Sequence, residues 1–397
     1  MLWLFILTSL FVRKIYFEGV KTTDINFLKS ELWHKEGGIF DSLKIKEDKE
    51  RLVSLGIFTK VEPYWRYVGE DSVDIVFELR EFPLRGVPSF NLWKDEDKGW
   101  VVGLGFNIIN FRGKAQSLGF LLNIKGYTGG KFYFISPSTV SRHPGFGFYT
   151  TYLTYYRCLE EFKVLERSML FQIFDCFQRN IKKNWKVYIG FDRIVSDSNN
   201  RTVEIDNSDE YIKLGFILDF NLVDYIPKPH KGFKLNILTS GAYGGENSVR
   251  SLKLGLSSSL YLPIYKDNLI LVSGSSLEKI FGDYPIYFRL YSGGVYLRGY
   301  KYGFERGDFR VNLFEELRIL INKKFSIFGF SLEPVISIFG DFSYLETPKY
   351  SYGFEFGFYN PMFKFAGFCF AYNETDKRLN FEMRFDWKEN RLKPKGF

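Results

Sequence analysis

The sequence predicts a mainly β chain, a 16-stranded antiparallel transmembrane β-barrel preceded by one small α/β domain. Three observations lead there. From Gly86 onward, apolar residues return at every second position almost without interruption. The alternating segments are long, about ten to fifteen residues each, whereas strands of soluble sandwiches run to about 5–6. Finally, 19% of the 397 residues are aromatic, with 44 Phe and 26 Tyr against 4 Met. That composition is poor in helix formers and too apolar for a disordered chain. No run approaches the roughly 20 apolar residues of a spanning helix, so a helical membrane bundle is excluded.

The opening residues, MLWLFILTSLFV, are too few to cross a bilayer as a helix. They resemble the apolar core of a secretory signal peptide, but no basic residue precedes them and no small-x-small cleavage site follows. Residues 1–11 are assigned to a truncated signal segment, which implies export; the true start of the signal stays open.

Residues 12–83 mix two periods. A strand from Val12 ends at Gly19. Thr22, Thr23 and Asp24 offer N-caps to a helix whose apolar positions are Ile25, Leu28 and Leu32. A second helix runs from Ser42 to Leu55, with Leu43, Leu52 and Leu55 apolar and Gly56 just past its end. Two strands follow, the second alternating Val73, Ile75, Phe77 and Leu79 against Asp74, Glu78 and Arg80. The order β-α-α-β-β describes one sheet covered by two helices.

Residues 86–387 hold the alternating strands, which start near Val87, Gly99, Ala115, Gly129, Gly145, Lys163, Trp185, Asp209, Lys231, Ser248, Asn268, Phe309, Phe325, Tyr350, Phe363 and Arg378. Typical parities set Ile212, Leu214, Phe216 and Leu218 against Lys213, Gly215 and Asp219, or Leu252, Leu254 and Leu256 against Ser251, Lys253 and Ser257. A tilted spanning strand needs about 9–11 residues with its apolar side outward, and bacterial barrels carry even strand numbers. Closure also removes edges that so much apolar strand would expose. Tyr149, Tyr152, Tyr155, Tyr156, Tyr350 and Tyr352, near strand ends, suit interfacial girdles. Residues 388–397 read as a polar tail.

The small module carries Glu18-Gly19, Gly38-Ile39-Phe40, Leu55-Gly56-Ile57-Phe58 and Glu78-Leu79-Arg80-Glu81, and so resembles a POTRA domain, with Gly19, Gly56 and Phe58 as its motif residues. The longest connection, Phe281 to Asp308, contains Ser292-Gly293-Gly294 and Leu297-Arg298-Gly299-Tyr300. It resembles the loop of the BamA/TamA outer-membrane assembly-factor superfamily, the bacterial surface antigen barrels. Asn312–Leu320 is similar to that family's twelfth strand. Phe339-Gly-Asp341-Phe-Ser343 is similar to the F-x-D-x-G motif of its thirteenth, with Ser343 in place of glycine.

Strand parity adds an independent argument. Val311, Leu313, Leu317 and Ile319 form one side of strand twelve, so Glu316 and Arg318 face the lumen. In strand thirteen Ile336 and Ile338 face outward, so Phe339 and Asp341 face in. A loop folded into the lumen would bring Arg298 to both Glu316 and Asp341, whose carboxylates can share its fork of donors.

The histidines His34, His143 and His230 and the cysteines Cys158, Cys176 and Cys369 are scattered. They form no disulfide framework, metal spacing or nucleophile–base pair, so neither an enzyme nor a cofactor is expected. The resemblance implies an outer-membrane barrel with its POTRA domain in the periplasm, handling unfolded outer-membrane or secreted clients. The POTRA edge strand Thr59–Tyr67 would take a client by β-augmentation. The seam between Val87–Lys94 and Leu379–Trp387 would open to pass it on. The formal charge of +8 suits the bilayer's anionic headgroups; no nucleic-acid partner is expected. Periplasmic partners, the client's identity and the choice between insertion and secretion stay open. The competing reading is a passive outer-membrane pore or a structural barrel without assembly activity.

Overall fold

The computed structural model describes residues 10–82, 86–95, 99–137, 144–157, 162–176, 183–198, 202–203, 206–223, 229–244, 248–266, 268–321, 325–327, 330–360 and 364–386. Residues 1–9, His143, Cys158, Trp387 and the tail 388–397 lie outside them.

The α/β module consists of β1 (Phe11–Glu18), α1 (Ile25–Glu31), α2 (Lys44–Ser54), β2 (Phe58–Val68) and β3 (Ser72–Glu81), with sheet order β1-β3-β2. β1 runs parallel to β3 and β2 antiparallel to it. Asp24 caps α1 by accepting from the Phe27 amide at 3.1 Å. Val12, Ile15, Phe27, Leu28, Leu52, Phe58, Ile75 and Phe77 form one buried cluster between sheet and helices. Gly19 and Gly56 both adopt positive φ, and a side chain at Gly19 would strike the Leu79 carbonyl oxygen. Phe11 belongs to this sheet rather than to the leading segment, because the Phe11 amide donates to Asp71 O at 2.8 Å. Leu43 lies outside α2 and is 82% exposed, since the helix starts one residue later.

The barrel strands are β4 (Gly86–Asp95), β5 (Gly99–Phe111), β6 (Gln116–Lys125), β7 (Tyr127–Ser136), β8 (Gly145–Arg157), β9 (Phe162–Cys176), β10 (Lys183–Ser196) and β11 (Ser208–Asn221). They continue with β12 (Gly232–Tyr243), β13 (Arg250–Tyr265) and β14 (Leu269–Asp283). Two short strands, β15 (Leu290–Tyr291) and β16 (Arg306–Gly307), lie within the following connection. After it come β17 (Phe309–Leu320), β18 (Phe325–Ile327), β19 (Phe330–Tyr344), β20 (Pro348–Asn360), β21 (Lys364–Asn373) and β22 (Arg378–Asp386). Among the described residues, sixteen long antiparallel strands close on themselves, with β22 beside β4 at the seam.

The alternation sorts the two faces as the sequence predicts. Lys213, Ser251, Lys253 and Ser240 are buried inward, whereas Leu214 is 57% and Ile338 58% exposed on the outside. An apolar band of that kind needs lipid to cover it. Two expectations are corrected. The strand expected from Phe325 divides: β17 ends at Leu320, opposite Val335, and the short β18 pairs back on Phe330–Leu332 of β19. Tyr149 and Tyr155 do not join an outer girdle. Their parity turns them inward, where Tyr149 accepts from Gln172 and Tyr155 donates to Glu166. Tyr152, Tyr156, Tyr350 and Tyr352 face outward, each about half exposed.

The module docks on the barrel through the β5–β6 turn. The Asp24 amide donates to Gly113 O at 2.9 Å, and Asn110 Nδ2 donates to Thr23 Oγ1 at 2.8 Å. Ala115 packs into the module's own core. Glu81 holds the other side of this contact, accepting from the Thr22 amide at 3.1 Å and the Thr23 amide at 2.8 Å, and from both hydroxyls. Burial works against the Glu81 charge, but the Thr23 and Thr22 donors outweigh it and hold its pKa below the usual 4.5. A lowered folded pKa stabilises the fold above the unfolded value and stops doing so as pH falls through the folded one. Glu81→Gln is therefore expected to reduce exchange protection of the Thr22 and Thr23 amides at neutral pH. The difference from wild type should shrink in acid; an unchanged pattern would remove Glu81 from this role.

Candidate functional site

The β14–β17 connection enters the barrel and spans it from wall to wall. Its base is the β15–β16 ladder, pairing Leu290 with Gly307 and Tyr291 with Arg306. Gly293 and Gly294 have φ of 86° and 57°, and the Gly294 amide donates to Tyr300 O at 2.8 Å, closing a tight turn around the tetrapeptide. Leu297 and Tyr300 are buried at the ends of that turn, and Arg298, 1% exposed, projects between them to the wall.

The Arg298 side chain meets three carboxylates. Nε donates to Asp341 Oδ2 at 2.7 Å and Nη2 to Asp341 Oδ1 at 2.5 Å, a bidentate fork. Nη1 donates to Glu316 Oε2 at 3.3 Å and to Glu355 Oε2 at 3.2 Å. The guanidinium lies over the Phe339 ring, 3.4 Å from its centroid, and a planar cation stacks there where an ammonium would not. Arg318 Nε donates to Glu316 Oε1 at 2.8 Å, balancing part of the acidic excess.

Arg298 thus meets Glu316 and Asp341, the acids that strand parity turns inward, and stacks as well on Phe339, a contact that parity did not indicate. Ser343, standing where the resembling motif has glycine, is buried with its Oγ 3.0 Å from Ser292 Oγ, so the exchanged residue gives the loop another tie. Ser343→Gly is expected to cost about 1 kcal/mol, the usual net value of one hydrogen bond, seen as modestly faster proteolysis between Ser292 and Glu305. Undiminished resistance would make this tie neutral.

Sequence reasoning missed three groups. Glu355 could have been found from β20, where Tyr352, Phe354 and Phe356 take the outward parity and leave it facing in. Arg310, inward on β17, stacks on Tyr296 of the loop at 3.5 Å, donates to Tyr291 O and pairs with Glu278. Lys253 completes that cluster at 3.1 Å from Glu278. At the far wall Tyr287 donates to Asp209 Oδ2 at 2.6 Å, and Phe288 packs edge-on against Tyr211. Aromatic packing of that kind has no sequence signal. His34 stays remote from the lumen: its Nδ1 lies 2.6 Å from Asp48 Oδ2 and its Nε2 accepts from the Asp41 amide.

This arrangement positions a loop and balances charge, and it needs no bond-making chemistry. Comparison with known proteins places both parts of the chain. Residues 10–81 match the POTRA family model, described as a surface antigen variable number repeat. The fold is that of BamA from Haemophilus ducreyi, solved without its POTRA domains 1–3: TM-score 0.70 at 18% identity, covering 95% of this chain and 83% of that one. CdiB from Escherichia coli matches with TM-score 0.63 at 11% identity, over 96% of this chain and 75% of its own. CdiB from Acinetobacter baumannii matches at 0.61 and 14%, over 94% and 73%. One POTRA module and a barrel of this shared fold make up the described chain.

Proposed function

We propose, from the fold shared with BamA and CdiB, that this chain is an outer-membrane protein assembly or translocation factor with its POTRA module in the periplasm. The observation that carries the reading is the loop locked across the lumen by Arg298. A passive pore gains nothing from plugging its own channel, nor from a docked α/β module beside it. The module captures unfolded outer-membrane or secreted clients by β-augmentation, in which backbone hydrogen bonds tolerate many sequences.

The choice of edge has support in the sheet. The outer side of β1 is covered: the Val12 amide donates to Gly38 O at 2.8 Å and the Gly37 amide to Val12 O at 2.7 Å. Among the described residues nothing pairs with the outer side of β2, the strand expected from Thr59 to Tyr67. The barrel then hands the client to the bilayer or across it at the β22–β4 seam, with basic side chains drawn to anionic headgroups.

Reconstitution into liposomes tests this. With an unfolded barrel client supplied, the chain should raise the folded, protease-resistant fraction of client, or its transfer across the bilayer, above that of empty liposomes. Single-channel recordings of the same preparation should show low conductance. Steady high conductance without client handling would establish the passive pore instead.

A further inference from the structure

The acid cluster holds the Arg298 side chain, but the next peptide is held elsewhere. The Gly299 amide donates to Glu382 Oε1 on β22 at 3.0 Å. Its carbonyl accepts from Asn380 Nδ2, also on β22, at 2.7 Å and from Asn373 Nδ2 on β21 at 3.4 Å. Tyr300 reaches the turn joining those two strands. Its hydroxyl lies 2.9 Å from Thr375 Oγ1, donates to Tyr350 O at 3.0 Å and accepts from the Thr375 amide. A side chain at position 299 would put its Cβ 2.7 Å from that of Ala371 on β21, and φ there is +81°. Glycine is required because the loop backbone lies directly against the last hairpin.

β22 is one of the two strands that meet at the seam, and its other ladder is the nine-pair register with β21, Phe365↔Asp386 to Asn373↔Arg378. Both peptide groups of Gly299 are thus spent on the hairpin that supports the seam. We propose that the Arg298-Gly299 turn is a clasp on β22, so that withdrawal of the loop and loosening of the β22–β4 seam are one event. Glu382, Asn380 and Asn373 are then positioning residues for a gate, and the proposal rests on the reading of the barrel as an insertion or translocation factor. Arg298 is the energetic anchor and Gly299 the coupling point. Any client or lipid that displaces the turn releases the last strand with it.

Hydrogen exchange on the full chain in lipid, with limited proteolysis of the same samples, tests the clasp. The far-wall strand β12 serves as internal reference. In Asn380→Ala/Glu382→Ala, with the acid cluster intact, exchange of β22 amides should rise by about thirtyfold, the effect of losing the two hydrogen bonds that β22 makes to the Gly299 peptide. β12 should not change, and the loop should stay protease-resistant. Arg298→Ala should release the loop and raise β22 exchange together. Glu382→Gln, which keeps an oxygen acceptor, should behave close to wild type. Unchanged β22 exchange in the double variant, or in Arg298→Ala once the loop is cleavable, overturns the clasp. Equal acceleration of β12 also overturns it, because that reports general destabilisation. A loop that stays protected in Arg298→Ala counts instead against the locked lumen, while the double variant still decides the clasp.

Discussion

Arg298→Ala is expected to insert and fold as a barrel but to lose its lumen plug. Removing one partner of a buried ion pair typically costs about 3–5 kcal/mol, because the remaining charge is left without compensation. Here three carboxylates, Asp341, Glu316 and Glu355, lose the same cation, and Phe339 loses the planar group stacked on it. The strands are tied by continuous ladders, from β4–β5 to β21–β22, that do not involve this side chain. The damage therefore falls on the loop. Conductance should become larger and noisier, and client handling should fall. New protease cleavage should concentrate in residues 292–304 rather than in 284–289, which Tyr287 and Phe288 still hold to the far wall. Arg298→Lys should rescue only in part, since an ammonium presents neither the fork nor the stacking plane. Wild-type conductance and loop protection in Arg298→Ala would end the plugged-lumen reading in favour of a plain pore.

Gly113→Val should undock the POTRA module. The turn needs φ of +71°, and a Cβ there would lie 2.5 Å from Thr22 O and 3.0 Å from the Asp24 amide nitrogen. Both are backbone atoms that cannot swing aside, and β-branching makes positive φ costlier still. The contact to Asp24 and the Asn110–Thr23 hydrogen bond should be lost together. The barrel is expected to keep its heat-modifiable migration on gels, because the change lies in a turn. The connection around residues 82–86 should become the first protease site, and client handling should drop severalfold if the module must stand beside the barrel to pass on a strand. Unchanged cleavage there would mean that the docking contact does not hold the module. Increased cleavage with full activity would mean that the factor works with a freely swinging module.

The division between what was legible in the sequence and what was not follows the range of the interactions. Period-two alternation is a local property, because successive side chains point to opposite faces of any strand. Lys213 against Leu214, and Glu316 against Leu317, could therefore be assigned to lumen and lipid without knowing a single neighbour. Helix caps and turn glycines are equally local, so the β-α-α-β-β module with Asp24, Gly19 and Gly56 was visible in advance. Tyr149 and Tyr155 show the limit: their residue type suggested an interface, whereas parity, correctly applied, turns them inward. Arg298, Asp341 and Glu316 could be linked because a motif and a parity rule agreed. Glu355 needed only the same parity rule on β20, but nothing in the chain says which inward acid stands beside which strand.

Only the closed structure decides the rest. Arg310 finds Tyr296 and Glu278, Tyr287 finds Asp209, and the Gly299 peptide finds Glu382 and Asn380, through contacts between residues far apart in sequence. Such contacts depend on barrel closure and shear, which bring the ends of sixteen strands to one level and set the width a loop must bridge. The amino-acid order by itself determined which side of each strand is polar and where the chain can turn. The tertiary structure decided which of those polar groups share a proton donor, because burial in a common lumen is a property of the closed wall and of no single strand.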